Sequence, residues 1–147
     1  MSFPVRAPVR PPDLSWRFPG SEVRVLPNGL RVVVLQQSRL PMIRVRLMIP
    51  GGRRREVSQI KPGVTGLAMR CARYGTADYT ASELALSLDS LGTQLSCGAS
   101  LDALSFSMQC LSEHFEESLG LFTQVLRTPL YTPDEVEREK AKLVAAK

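Results

Sequence analysis

An α+β fold, an antiparallel sheet with helices packed on one face, is what this 147-residue sequence predicts. Three stretches carry that expectation. An Asn-Gly pair sits between two β-rich runs. Two alternating runs flank a short turn near residue 101. A glycine-bounded stretch from Gly63 to Thr76 has helical periodicity.

Residues 1–20 hold five of the eleven prolines and are expected to form an extended N-terminal arm. No apolar run of signal-peptide length follows their arginines, and the prolines argue against an amphipathic transit helix. Residues 21–147 are expected to form one domain. Val23, Val25 and Leu26 lead into Pro27-Asn28-Gly29, and Leu30 to Leu35 return, a hairpin whose two turn residues are both expected at positive φ. In Met42 to Pro50, Ile43, Val45, Leu47 and Ile49 alternate with Arg44 and Arg46, which predicts a strand with one covered face. Gly51 to Lys61 reads as a loop.

In the helix from Gly63 to Thr76, Val64, Leu67, Ala68 and Cys71 form the expected buried stripe. Gly66, Met69 and Arg70 share a second face at i, i+3 and i+4. A glycine inside a helix costs roughly 1 kcal/mol relative to alanine, so close packing is expected to hold Gly66 small. On the residues alone, Met69 is core filling and Arg70 with Tyr74 is a surface pair.

The second helix opens at Thr80, with Glu83 completing a capping box, carries Leu84, Leu88 and Leu91 on its apolar side, and stops at Gly92. Thr93–Ser100 and Ala103–Cys110 are expected to pair around Leu101-Asp102, so that Cys97 faces Phe106. Leu104, Phe106 and Met108 then point to the core. Ser112 is the expected cap of a third helix bearing Phe115, Leu119, Phe122 and Leu126. Thr132-Pro133-Asp134-Glu135 opens a fourth with a second capping box.

The net charge of +5 and pI near 9.5 come largely from Arg53-Arg54-Arg55 and strand arginines. Without a nucleic-acid-binding signature this reads as a solvated basic face, and no nucleic acid is expected as a partner. There is no run of about 18 apolar residues, so no membrane span is expected. Cys71, Cys97 and Cys110 do not form a disulfide framework and read as free thiols. Cys110 and His114 lack the further ligands that zinc requires. No G-x-S-x-G nucleophile is present.

Asn28-Gly29-Leu30-Arg31-Val32, the Gly63–Thr76 helix with Gly75-Thr76, Glu83-Leu84, Leu91-Gly92 and Arg138-Glu139 occur in an order that resembles the pitrilysin/insulinase family of zinc peptidases, which includes the mitochondrial processing peptidase. The resemblance covers about Glu22 to Lys147. It implies the N-terminal α+β domain of a family subunit, incomplete in this chain. It also places the family's H-x-x-E-H at Gly66, Met69 and Arg70, and its third zinc ligand at Ala146. None of these four residues can do the chemistry of the one it replaces. Glycine, methionine and alanine offer zinc no suitable lone pair, and a guanidinium has no acceptor and carries a positive charge.

The resemblance thus implies a non-enzymatic homologue with no cofactor and no metal. It would pair with an active homologous zinc peptidase and help form a chamber that holds extended peptides, with Arg70 and Tyr74 as contacts to peptide or partner. A structural subunit like the respiratory-complex core proteins, or a fragment of an active peptidase, are the alternatives it leaves.

Overall fold

In the computed structural model the residues described are 19–37, 39–56 and 63–145. They divide into two compact units, residues 1–40 and 41–147. The proline-rich arm falls almost wholly outside the described residues, as does Ala146.

The first unit is a hairpin of β1 (Ser21–Val25) and β2 (Arg31–Leu35), paired from Ser21↔Leu35 to Val25↔Arg31. Its turn corrects the sequence expectation. Gly29 has φ 84°, but among the described residues none other than glycine has positive φ, so Asn28 does not. Pro27 leads the turn instead: Gly29 N–H donates to Leu26 O at 2.8 Å, and Leu26 N–H to Leu30 O at 2.9 Å. Only the residue that closes the turn is left-handed, the arrangement of a three-residue hairpin loop. The Asn28 side chain contributes by accepting from Leu30 N–H at 3.1 Å.

The second unit is built on a three-stranded antiparallel sheet, ordered β3-β5-β4: β3 (Met42–Pro50), β4 (Gln94–Ala99) and β5 (Ala103–Leu111). The β4–β5 register pairs Cys97 with Phe106, as the alternation predicted. Ile43, Val45 and Leu47 lie opposite Cys110, Met108 and Phe106, so one face is apolar throughout. The other face carries Arg44 and Arg46 beside Gln109 and Ser107.

The apolar face is covered by helices. These are α1 (Val64–Cys71), α2 (Ala81–Ser90) and α3 (Phe115–Arg127), while α4 (Pro133–Ala145) packs on α1. Met69, Phe106, Met108, Cys110 and Phe122 form the main core, and Leu84, Leu121 and Val125 a second cluster under α2. Helix α3 is therefore buried on two sides, towards the sheet through Phe115, Leu119, Phe122 and Leu126 and towards α2 through Leu121 and Val125. That stripe is wider than the one its spacing suggested. Between the clusters the Thr93 and Ser118 hydroxyls, both buried, satisfy each other at 2.6 Å.

The Thr80–Glu83 capping box is present in full, and Gly92 ends the segment at φ 60°. Ser112 does not cap α3. It opens a single 3-10 turn, Ser112–His114, and its N–H is held by Pro41 O at 3.0 Å. At α4 the Glu135 carboxylate, expected in a capping box, is ion-paired with Arg138 one turn along.

Candidate functional site

Helix α1 starts at Gly63, which has φ 95° and no side chain to cap the first amides. The carboxylate of Glu56 supplies the cap. Its two oxygens accept from Gly63 N–H and Thr65 N–H, each at 2.9 Å. Those bonds hold the Glu56 carboxyl below its ordinary pKa.

The rotation of α1 differs from the expected one. Met69, Cys71 and Ala72 are buried, whereas Val64 is exposed. The cause is that α1 packs on β4 and α4 together, so its buried side lies between the two directions. Met69 is only 5% exposed and belongs to the main core. Of the second face read from the sequence, Gly66 and Arg70 stand together on a groove and Met69 turns away from it. Gly66 is not held small by packing, since a Cβ built there meets no described atom within 4 Å.

The groove has a volume of about 1080 Å³ and lies between α1, α4 and strand β4. Leu67 and Arg70 of α1, Cys97 to Ala99 of β4, and Val136, Leu143 and Val144 of α4 form its walls. Strand β4 pairs only with β5, so its other side is an edge among the described residues. Ser100 N–H donates to Ala103 O at 2.8 Å across the turn. Alternation along an antiparallel ladder then turns the backbone of Gly98, Ser96 and Gln94 towards β5. The N–H and C=O groups of Leu95, Cys97 and Ala99 point the other way, to the open edge.

Below the groove, the segment after α1 is tied to α4. The Tyr74 hydroxyl donates to Glu139 Oε1 at 2.9 Å, Lys142 Nζ donates to the same oxygen at 2.6 Å, and Arg73 Nη2 donates to the Tyr74 oxygen at 3.3 Å. The Arg138 guanidinium stands 5.1 Å from the centre of the Tyr74 ring. Glu139 is 3% exposed, and its carboxyl is held below the usual range first by Lys142 and then by Tyr74. The surface pair of Arg70 with Tyr74 does not form. Tyr74 is committed to Glu139, a partner 65 positions away that no local spacing signals.

The Gly75-Thr76 pair is architectural. Gly75 has φ 109°, and a Cβ there would come within 3.0 Å of Tyr79 O. The Thr76 hydroxyl accepts from Asp78 and Tyr79 N–H and donates to Gln124 of α3 at 3.1 Å. Thr76 also bridges Pro129, while Leu130 N–H reaches Gly75 O and Ala77 N–H reaches Thr128 O, each at 3.0 Å. The α1–α2 connection is thus zipped to the α3–α4 connection.

The groove does not fit a zinc ion. Arg70 brings a cation, Gly66 brings no donor, and the Glu139 carboxylate is already bound by Lys142 and Tyr74. Among the described residues no three His, Cys, Asp or Glu side chains converge. His114 lies outside the groove, 3.9 Å from both Glu113 and Glu117.

The sequence profile of the insulinase family, peptidase family M16, matches residues 31–146. The chain belongs to that family. Curated relatives include a probable mitochondrial-processing peptidase subunit alpha-2 of Arabidopsis thaliana, 26% identical over 97% of this chain and 29% of its own length. The mitochondrial-processing peptidase subunit beta of Blastocladiella emersonii is 24% identical over 90% of this chain and 28% of its own. Among solved structures, a peptidase M16 inactive domain from Pseudomonas fluorescens superposes with TM-score 0.79 at 26% identity, over 86% of this chain and 31% of that one. A protease from Helicobacter pylori superposes with TM-score 0.74 at 22% identity, over 88% and 31%. The chain spans less than a third of the length of these proteins. Among its described residues no helix is long and apolar enough to cross a membrane.

Proposed function

We propose that this M16-family chain is a non-catalytic domain that holds an extended peptide alongside an active homologous peptidase. The observation that carries the reading is Arg70 on the groove beside Gly66, where the resemblance sets the family's two zinc histidines. With a permanent cation at one ligand position and no side chain at the other, hydrolysis has neither its Lewis acid nor an activated water. Met69, aligned with the family's general base, is in the core and carries no proton acceptor. The resemblance sets the family's third ligand at Ala146, which lies outside the described residues.

What remains is a binding surface. The edge of β4 offers backbone donors and acceptors to an added strand, and α1 and α4 wall the space beside it. Relatives named as alpha and beta subunits favour action as one member of an assembly.

Metal analysis combined with a cleavage assay tests the loss of chemistry. The purified chain should hold no stoichiometric zinc and should leave a fluorogenic peptide library intact. Zinc at one equivalent together with turnover by this chain alone would refute the proposal. Co-purification with a zinc-bearing M16 protein from the same source tests the pairing.

A further inference from the structure

Charge in the groove is one-sided. Arg53, Arg70 and Arg73 line it, and among the described residues none is ion-paired to a carboxylate. The acidic groups there are already matched: Glu137 pairs with Lys140 at 3.1 Å, and Glu139 is bound by Lys142 and Tyr74. Three guanidiniums therefore line the space without an ion-paired carboxylate among the described residues, next to the outward backbone groups of Cys97 and Ala99. The acidic groups within electrostatic reach, Glu139 for Arg70 and Arg73 and Glu56 for Arg53, are held by other donors. Arginine recognises carboxylates by paired, charge-assisted N–H···O bonds, and a low-dielectric wall strengthens them.

We infer that the groove selects an acidic peptide, added as a strand to the edge of β4, with carboxylates received by Arg70 and by Arg53 or Arg73. The inference rests on the peptide-holding reading above and adds the class of peptide. Side chains on one face of a strand recur every second residue, about 6.8 Å apart. Acidic residues at alternate positions are therefore the pattern that presents several carboxylates to one wall.

Fluorescence anisotropy on the 147-residue chain tests it with three labelled peptides of one apolar frame. They carry Asp, Ser or Lys at alternate positions. The Asp peptide should bind at least about tenfold tighter than the Ser peptide, equivalent to about 1.4 kcal/mol, with the Lys peptide weakest. The gap should narrow as salt rises. R70E and R53E should each weaken the Asp peptide and strengthen the Lys peptide. R44E, on the opposite sheet face, should change neither, and circular dichroism should show all three variants folded.

Equal affinity for the Asp and Ser peptides would overturn the charge selection while leaving peptide holding intact. Absence of binding by all three would overturn both. An R44E effect as large as that of R70E would reduce the preference to net charge and overturn the inference. Self-association abolished by R70E, without peptide binding, would assign the groove to a second copy and overturn it too.

Discussion

Tyr74 and Glu139 join the segment after α1 to the middle of α4 through a 2.9 Å hydrogen bond from phenol to carboxylate. The carboxylate is nearly inaccessible, and its other close partner is Lys142. A buried charge is tolerated only when hydrogen-bonded on most sides, so each donor is needed. The bond ties the segment after α1 to α4 without a cation from solution.

Removing the phenol exposes that dependence. Tyr74→Phe should lower stability by about 1.5–3 kcal/mol, the usual cost of deleting a hydrogen bond to a charged group. Urea unfolding of Tyr74→Phe, Glu139→Gln and the double variant measures it. The double variant should lose less than the sum of the singles, because the two act as one unit. Strict additivity would show the bond to be energetically idle.

Acid should weaken the fold in a defined direction. The carboxyls of Glu139, Glu56 and Glu83 are all lowered from 4.5, Glu139 chiefly by Lys142 and then Tyr74, the other two chiefly by backbone N–H groups. A depressed folded-state pKa contributes stability that is fully present above the unfolded value and is lost as pH falls through the folded one. Stability should hold from neutral pH down to about 5 and decline below it. Glu139→Gln should start lower at neutral pH and fall less steeply in acid, as followed by urea midpoints across the range.

Two glycines should respond oppositely to alanine. Gly52 has φ 51°, and a Cβ there would lie 2.5 Å from Ala103 N and 2.6 Å from the Ser100 and Leu101 carbonyls. Gly52→Ala should cost about 2 kcal/mol or more, by strain at a left-handed residue and loss of the contact with the β4–β5 turn. Gly66→Ala, inside α1 with open space around it, should gain about 0.5–1 kcal/mol. Thermal melts of both variants check the pair, and a destabilised Gly66→Ala would mean that the groove wall is tighter than the geometry gives.

Cys97 should be a sluggish nucleophile although it borders the groove. Burial pushes its thiol up to about 11, with Arg73 opposing weakly. A rise from 9.0 to about 11 leaves about a hundredfold less thiolate at pH 8 than an ordinary cysteine has. Peptide-level alkylation by iodoacetamide should therefore label Cys97 slowly in the native chain and rapidly in denaturant.

Much of the scaffold was legible in the sequence because its signals are local. Alternation set the β4–β5 register, including Cys97 opposite Phe106, and Thr80 with Glu83 marked the start of α2. What escaped were features that depend on elements far apart in the chain. The rotation of α1, which leaves Val64 exposed, follows from its packing on both β4 and α4, and a single periodicity cannot reveal a helix covered on two sides. Glu56 caps α1 from seven positions ahead of Gly63, outside any capping-box spacing. Asn28-Gly29 suggested two left-handed residues, but Pro27 took the lead position and left one. Of the face read as Gly66, Met69 and Arg70, the first and last stand on the groove and Met69 turns into the core, while Tyr74 is drawn off by Glu139.

The zipper between the connections through Gly75 and Thr76 bears on how such chains are recognised. Both residues serve carpentry rather than catalysis: one permits a sharp bend, and the other pins two loops and a neighbouring helix. A search keyed on that dipeptide therefore detects the frame whether or not any chemistry survives within it. Sorting working peptidases from silent ones must look instead to what the helix ahead of the bend carries on its groove side.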